Sequence, residues 1–194
     1  MDELVKAAMA KWPNVPHCYG WLGLDARGRW WMRDERAQRA GPFAGPGATA
    51  ASRGAELRHE KLIAFIERNY GCDEAGQWYF QNGPQRVYVE LEKLPWVWRL
   101  DDRGKVCSHT GRPAVVQRAW TDEDGWLYLE TDLGWGNVHS QDMDRAARLL
   151  EAGGWTLAYL PYASVLERAG CVLSPQAAQA AGANMKKPAD ERAG

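Results

Sequence analysis

Residues 22–32 have the sequence Leu-Gly-Leu-Asp-Ala-Arg-Gly-Arg-Trp-Trp-Met. An aspartate followed three positions later by a glycine is typical of a type I turn that closes into a β-bulge. The aspartate side chain accepts hydrogen bonds from the turn amides, and glycine adopts the left-handed conformation without steric cost. This turn sets the register of a hairpin in which Leu24 lies opposite Trp30 and Leu22 opposite Met32. We therefore predict that these four side chains share the core face of the hairpin.

Three further segments repeat the pattern of Asp-x-x-Gly, one intervening residue and a large apolar residue, at 73–78, 101–106 and 122–127. A turn at the last of these places Trp120 opposite Tyr128, which is a favourable cross-strand pair. The unequal spacing of the repeats excludes a solenoid or a propeller built from equal units. The repeats instead indicate antiparallel meanders.

Helical periodicity occurs at residues 55–70 and again at about 141–152. One helix is thus available for each group of strands. We predict an α+β fold of two small subdomains, residues 14–98 and residues 99–173, each an antiparallel β-meander packed on a helix.

The remaining segments have simpler compositions. Residues 1–13 predict an N-terminal helix that Asp2 caps and Pro13 ends. Residues 34–54 contain several glycines and prolines and an alanine run, which indicates a mobile loop. Residues 174–194 are rich in alanine and have little apolar mass to bury, so we predict a disordered C-terminal tail.

The composition narrows the class of protein. The chain of 194 residues is 45% hydrophobic and 25% charged, which is ordinary for a globular protein. Its net charge of −1 argues against a protein that binds nucleic acid in bulk. The sequence has no signal peptide, no apolar run long enough to span a membrane, and four scattered cysteines without a CxxC pair. We expect a cytoplasmic protein with reduced thiols and with neither a metal nor a cofactor.

Three segments carry a resemblance to known sequences. Residues 24–31 (Leu-Asp-Ala-Arg-Gly-Arg-Trp-Trp), residues 58–65 (Arg-His-Glu-Lys-Leu-Ile-Ala-Phe) and residues 78–95 with Gln-Asn-Gly-Pro-Gln-Arg are similar to a family of small proteobacterial proteins of unknown function. The order of hairpin, amphipathic helix, strand pair ending in Glu-x-x-Pro-aromatic, and further sheet resembles a second uncharacterised family more distantly. That family folds into two small α+β subdomains. The resemblance covers residues 17–173 and implies a fold, but it implies no activity.

Tryptophan is the compositional outlier, with eleven residues. We assign Trp30, Trp78 and Trp120 to the core, and we expect Trp135, which lies between two glycines, in an exposed loop. Two sheets that are each covered by one helix leave apolar area that can seat a partner or a ligand. Tryptophan and arginine are also the residue types typical of interface hot spots.

The most unusual local stretch is a turn that offers planar hydrogen-bonding groups. Asn82-Gly83 forms turns readily, and Pro84 removes a backbone donor where the next strand begins. The candidate ligand-binding residues are Gln81, Asn82, Gln85 and Arg86 of this turn, together with Trp31 and Arg33. We predict a binding module without catalytic chemistry, a monomer or weak dimer. It would engage a small molecule or a protein at this turn or in a groove between the subdomains.

Two alternatives remain open. Cys107 and His109 lie two positions apart on a predicted strand, so they share a face and could act as nucleophile and base, or as metal ligands. Residues 27–39 contain five arginines interleaved with Trp30 and Trp31, a composition that can hold single-stranded nucleic acid through phosphate contacts and stacking. Neither alternative is accompanied by a recognisable motif.

Overall fold

The four predicted turns are present in the computed structural model, which describes residues 3–12 and 14–185. Their glycines have φ angles of 75° to 77°, and the Oδ1 atom of each turn aspartate accepts two backbone hydrogen bonds at 2.8–3.0 Å. A fifth turn of this kind begins at Ser108, whose Oγ accepts a hydrogen bond from the Arg112 amide at 3.2 Å. The sequence analysis missed this turn because serine replaces aspartate as the acceptor.

Six strands form the first sheet, in the order β3-β2-β1-β6-β5-β4. The strands are β1 (Cys18–Leu24), β2 (Trp30–Met32), β3 (Ala55–Glu56), β4 (Tyr70–Cys72), β5 (Trp78–Asn82) and β6 (Gln85–Leu91). The helices in this part of the chain are α1 (Glu3–Lys11), α2 (Glu35–Arg39), α3 (Ala50–Arg53) and α4 (Glu60–Arg68).

Seven strands form the second sheet, in the order β13-β10-β11-β12-β7-β8-β9. The strands are β7 (Trp96–Leu100), β8 (Val106–Ser108), β9 (Pro113–Ala114), β10 (Val116–Thr121), β11 (Leu127–Thr131), β12 (Gly134–Val138) and β13 (Leu157–Tyr159). The helices in this part of the chain are α5 (Met143–Glu151), α6 (Tyr162–Ala169) and α7 (Pro175–Met185). The chain is therefore an α+β protein with two sheets, each packed with helices, as predicted.

Both sheets are mixed, so the prediction of purely antiparallel meanders is wrong in detail. The parallel pairs are β1 with β6, β7 with β12 and β10 with β13. Each joins strands that are distant in the chain. Turn chemistry specifies only the antiparallel partners within a hairpin, whereas a parallel pair requires a long crossover connection.

The predicted hairpin registers are confirmed. Leu24 pairs with Trp30, Leu22 with Met32, and Trp120 with Tyr128. Leu22, Leu24 and Trp30 are buried, but Met32 is 48% exposed, so its assignment to the core is wrong. Met32 lies at the end of its strand, on the wall of an open cavity that Trp21 also lines.

One hydrophobic cluster extends across both sheets. It includes Trp30 and Phe80 from the first sheet and Trp96 and Trp98 from the second. A second cluster joins Trp120 and other residues of the second sheet to Val165 of α6, and it includes Trp135. Trp135 belongs to β12 and is 9% exposed, so the expectation that it lies in an exposed loop is wrong. Burial against Trp120, at a centroid distance of 5.9 Å, explains its position.

The segment 34–54 contains two short helices and is not the continuous loop that we predicted. Asp34 caps α2 by accepting a hydrogen bond from the Ala37 amide at 2.8 Å. Thr49 and Ser52 form a reciprocal capping box at the start of α3. These caps satisfy amides that a short helix would otherwise leave unpaired, and they explain how helices form in a segment rich in glycine and proline.

The prediction of a disordered tail is wrong for residues 175–185, which form α7. Ser174 caps this helix by accepting a hydrogen bond from the Ala177 amide at 3.2 Å, and it donates one to Glu90 of β6. Residues 186–194 of the predicted tail lie outside the described residues, as do the predicted cap Asp2 and the predicted stop Pro13 of the N-terminal helix.

The chain passes from one sheet to the other at residues 92–95. Since β7 begins at Trp96 and pairs with β8 and β12, the predicted boundary between residues 98 and 99 would divide a strand. The division into two subdomains stays a prediction, because the larger hydrophobic cluster is continuous across both sheets.

Candidate functional site

A groove of about 550 Å³ lies beside the end of β6, where the chain leaves the first sheet. Its walls are the loop 42–48, the end of β6, the first residue of α6 and the segment that precedes α7. Four charged side chains line it, namely Arg53, Glu90, Glu92 and Lys93. These residues come from segments that are far apart in the chain, and the fold alone brings them together.

Arg53, the last residue of α3, is held in a fixed position. Its Nη2 donates to Glu92 Oε1 at 2.5 Å, and its Nη1 lies 4.0 Å from Asp25 Oδ2. Its guanidinium lies 5.4 Å from the ring centres of both Trp31 and Phe43. Ion pairing and stacking together orient a planar cation more precisely than either does alone.

Trp31, a predicted ligand-binding residue, contacts both Arg53 and Asp25. Its Nε1 donates to Asp25 Oδ2 at 3.0 Å. Arg29 stacks on the same ring at 5.4 Å and donates to Asp25 Oδ2 at 2.7 Å. Trp31 therefore positions Arg53, which lines the groove.

Arg33, another predicted site residue, is buried. Its guanidinium donates to the backbone carbonyls of Gly20, Gly41 and Ser52 at 2.6–3.1 Å. These bonds tie the loop after α2 to β1 and α3. Arg33 thus orders the loop that forms one wall of the groove, and its side chain lies in the interior.

The two carboxylates of the groove are satisfied within the chain. Glu90 accepts hydrogen bonds from Ser174 Oγ at 2.5 Å and from the Gln176 amide at 3.0 Å, one on each oxygen. Its burial raises the pKa of the carboxyl. Glu92 accepts hydrogen bonds from the Ala26 amide at 2.8 Å and from Arg53.

Lys93 lies over two aromatic rings. Its ammonium is 4.0 Å from the ring centre of Tyr162 and 4.7 Å from that of Trp126. No carboxylate of residues 3–12 or 14–185 forms an ion pair with it. Lys93 therefore brings a positive charge to the groove without a matching negative charge.

The predicted turn at Gln81–Arg86 does not line this groove. Gln85 and Arg86 begin β6, whereas Glu90 and Glu92 lie at its other end. At about 3.3 Å per residue, Arg86 and Glu92 are separated by roughly 20 Å along the strand. Trp31 is in register with Glu90 through Gly23, and Arg33 bonds to the carbonyls of Gly20, Gly41 and Ser52, so the described contacts of these two residues do not include this turn.

The side chains of this turn are largely engaged within the chain. Gln81 is buried and donates to the Gly83 carbonyl at 2.9 Å, and Gln85 donates to the Pro16 carbonyl at 2.8 Å. Arg86 stacks 4.5 Å from the Tyr79 ring centre. Asn82 is exposed. Their assignment to a binding site stays a prediction.

The surroundings of Cys107 and His109 do not favour a catalytic pair. His109 Nδ1 accepts a hydrogen bond from the Val97 amide at 3.3 Å, and its buried Nε2 has no partner within the described chain. Burial lowers the pKa of His109 to about 3 and raises the pKa of the Cys107 thiol. Both shifts oppose the formation of a thiolate–imidazolium pair.

Three of the five arginines of the segment 27–39 form contacts within the described chain. Arg29 pairs with Asp25 and Glu56, Arg39 with Glu35, and Arg33 with backbone carbonyls. These contacts reduce the free positive charge that phosphate binding would require.

Sequence reasoning missed Arg53, Glu90 and Lys93. The signal nearest to them is the Glu-x-x-Pro-aromatic motif at residues 92–96, which we used only as evidence of resemblance. Nothing in the local sequence of Arg53 distinguishes it from a surface arginine, because its environment is created by contacts distant in the chain.

Residues 3–12 and 14–185 lack a metal-ligand cluster and a membrane-spanning helix. No group of three or more His, Cys, Asp or Glu residues there could hold a metal ion, and the cysteines are free thiols. Among the helices of this part of the chain, none has the length and apolar character needed to cross a membrane.

Comparisons with known proteins place the chain in a family. A search of curated proteins finds no match. Two solved structures share a distant likeness, both of DUF1285 family proteins. The one from Silicibacter pomeroyi DSS-3 has a TM-score of 0.45 and 14% identity, over 77% of this chain and 85% of that one. The one from Shewanella baltica OS155 has a TM-score of 0.42 and 14% identity, over 66% and 91%.

The family model DUF2944, described as "Protein of unknown function (DUF2946)", matches residues 1–189. This match confirms the predicted resemblance to a family of uncharacterised proteins. The chain therefore belongs to the DUF2944 family of proteins of unknown function.

Proposed function

We propose that this protein binds a small molecule in the groove formed by the loop 42–48, the end of β6, the start of α6 and residues 173–174. The observation that carries the proposal is a concave space of about 550 Å³ lined by both apolar and charged side chains. Small-molecule sites are typically clefts of roughly 300–1,000 Å³ with mainly apolar walls and a few fixed polar groups.

Preorganisation supports the proposal. Arg53 is held by Glu92 and by the rings of Trp31 and Phe43, and the loop wall is tied down by buried Arg33. Such side chains do not have to be ordered when a ligand arrives, which lowers the entropic cost of binding.

The two alternatives have less support. The raised pKa of Cys107 and the lowered pKa of His109 disfavour nucleophilic catalysis at that pair. Nucleic-acid binding is disfavoured by the net charge of −1 and by the paired arginines of the segment 27–39.

A groove-filling variant tests the proposal. Ala48 is exposed and lines the groove, so Ala48→Trp places an indole in the space. Ala147 is exposed on α5, away from the groove, and Ala147→Trp is the matched control. We expect a fragment library, monitored by ligand-observed NMR, to contain compounds that bind the parent protein and Ala147→Trp but not Ala48→Trp. A screen without hits, or hits that Ala48→Trp retains, would contradict groove binding.

A further inference from the structure

Of the four charged side chains that line the groove, three have polar partners within the described chain. The positive charge of Arg53 is matched by Glu92 at 2.5 Å. The carboxyl of Glu90 accepts two hydrogen bonds, and its burial raises its pKa. The ammonium of Lys93 is the remaining charge, and it has no ion-pair partner within residues 3–12 and 14–185.

The Lys93 ammonium also has unused hydrogen-bond donors. An ammonium carries three N–H donors. In the part of the chain that the structure describes, the contacts of this ammonium are with the faces of Tyr162 and Trp126. Aromatic faces attract a cation electrostatically but are poor hydrogen-bond acceptors. The two rings therefore hold the charge in place and leave its N–H groups available to an anion.

Part of the groove lining is apolar and open to solvent. It consists of side chains from the loop 42–48 and the segment before α7, namely Pro42, Pro46 and Leu173. A ligand that satisfied Lys93 and remained in the groove would lay an apolar body against these residues, whose removal from water contributes to affinity.

We propose that the ligand of this groove is a monoanionic organic acid, with its carboxylate on the Lys93 ammonium and an apolar body against Pro42, Pro46 and Leu173. The inference rests on the proposed function. A single cation without an ion-pair partner suits a single negative charge. A phosphate monoester carries more charge and is usually held by several donors or by a planar arginine, and the guanidinium of Arg53 is already bonded to Glu92.

Three probes of similar shape test the charge requirement. They are 3-phenylpropionate, its neutral analogue 3-phenylpropionamide, and phenyl phosphate. We expect the carboxylate to bind the parent protein at least about tenfold more tightly than the amide, since a hydrogen bond to a charged group contributes about 1.5–3 kcal/mol. Isothermal titration calorimetry gives each Kd. Equal binding of acid and amide, tighter binding of phenyl phosphate, or no binding of the acid would overturn the proposed class.

Variants at Lys93 test whether the ligand carboxylate contacts the Lys93 ammonium. Lys93→Met keeps the packing of the side-chain stem on the rings and removes the charge, Lys93→Arg keeps the charge, and Lys61→Met removes an exposed lysine of α4 as the matched control. We expect Lys93→Met to abolish the preference for the acid over the amide, with Lys93→Arg and Lys61→Met retaining it. An unchanged preference in a folded Lys93→Met protein would overturn the assignment.

The groove-filling variant separates the two proposals. If acid and amide bind equally and Ala48→Trp abolishes both, the groove binds small molecules but the ligand class is wrong. If the acid binds Ala48→Trp as tightly as the parent protein, the groove itself is not the site and both proposals fail.

Discussion

Glu90 of β6 accepts a hydrogen bond of 2.5 Å from Ser174, the residue that caps α7. The same carboxylate accepts a second bond from the Gln176 amide in the first turn of this helix. The carboxylate thus occupies the positive end of the helix dipole and joins the C-terminal helix to the centre of the first sheet. Since Glu90 and Ser174 both line the groove, this contact also shapes one of its walls.

The first prediction concerns pH. Burial raises the pKa of Glu90 above its ordinary value of 4.5, so the folded state binds this proton more tightly than the unfolded state does. The contribution of Glu90 to stability is therefore greatest below pH 4.5 and is lost as the pH rises through the folded pKa. We expect Glu90→Gln to become more stable relative to the parent protein as the pH rises through this window.

Urea unfolding at a series of pH values measures this difference. Glu60→Gln, on the exposed surface of α4, is the matched control for the substitution. The lowered pKa of His109 makes both proteins more stable as the pH rises. The difference between Glu90→Gln and the parent protein removes this shared contribution. A difference for Glu90→Gln that is flat or that falls with rising pH would contradict the prediction.

The second prediction concerns two turn glycines that have nearly the same φ angle. Gly76 and Gly125 have φ of 76° and 77°. A Cβ at Gly76 would lie 2.0 Å from the Gly170 carbonyl oxygen, whereas a Cβ at Gly125 would meet nothing within 4 Å. Gly125→Ala should cost only the left-handed strain of roughly 1–2 kcal/mol.

Gly76→Ala should cost about 3 kcal/mol or more, because the turn must also move away from the backbone at residue 170. Chemical denaturation of both variants provides the two free energies of unfolding. Equal losses in the two variants would show that the contact between the β4–β5 turn and the end of α6 contributes little to stability.

The third prediction concerns thiol reactivity. Burial raises the pKa of Cys107, Cys72 and Cys171, in the last case to about 11. Each of these thiols should therefore be almost entirely protonated at neutral pH and react slowly with iodoacetamide, without a fast phase at Cys107. Peptide mass spectrometry after timed alkylation measures the four rates, and a small thiol such as N-acetylcysteine provides the unperturbed reference. Rapid labelling of Cys107 would restore the hypothesis of a Cys107/His109 enzyme.

Turn chemistry and side-chain alternation made the hairpins predictable from the sequence. An aspartate that accepts two turn amides and a glycine with positive φ act within five residues, so the registers of Leu24 with Trp30 and of Trp120 with Tyr128 needed no other part of the chain. The helical stripe that contains Ile66 was predictable for the same reason, although Ala55–Glu56 pair with β2 and the helix begins at Glu60.

The tertiary structure alone decided which hairpins lie side by side, which tryptophans are buried and where the groove lies. The parallel pairing of β1 with β6 places Glu90 and Glu92 beside residues of the first hairpin and of α3. The capping residue of α7, Ser174, forms part of one wall of the groove. These contacts join segments separated by dozens of residues. Their stability comes from burial and from charge pairing between distant groups, which leave no periodic pattern in the local sequence.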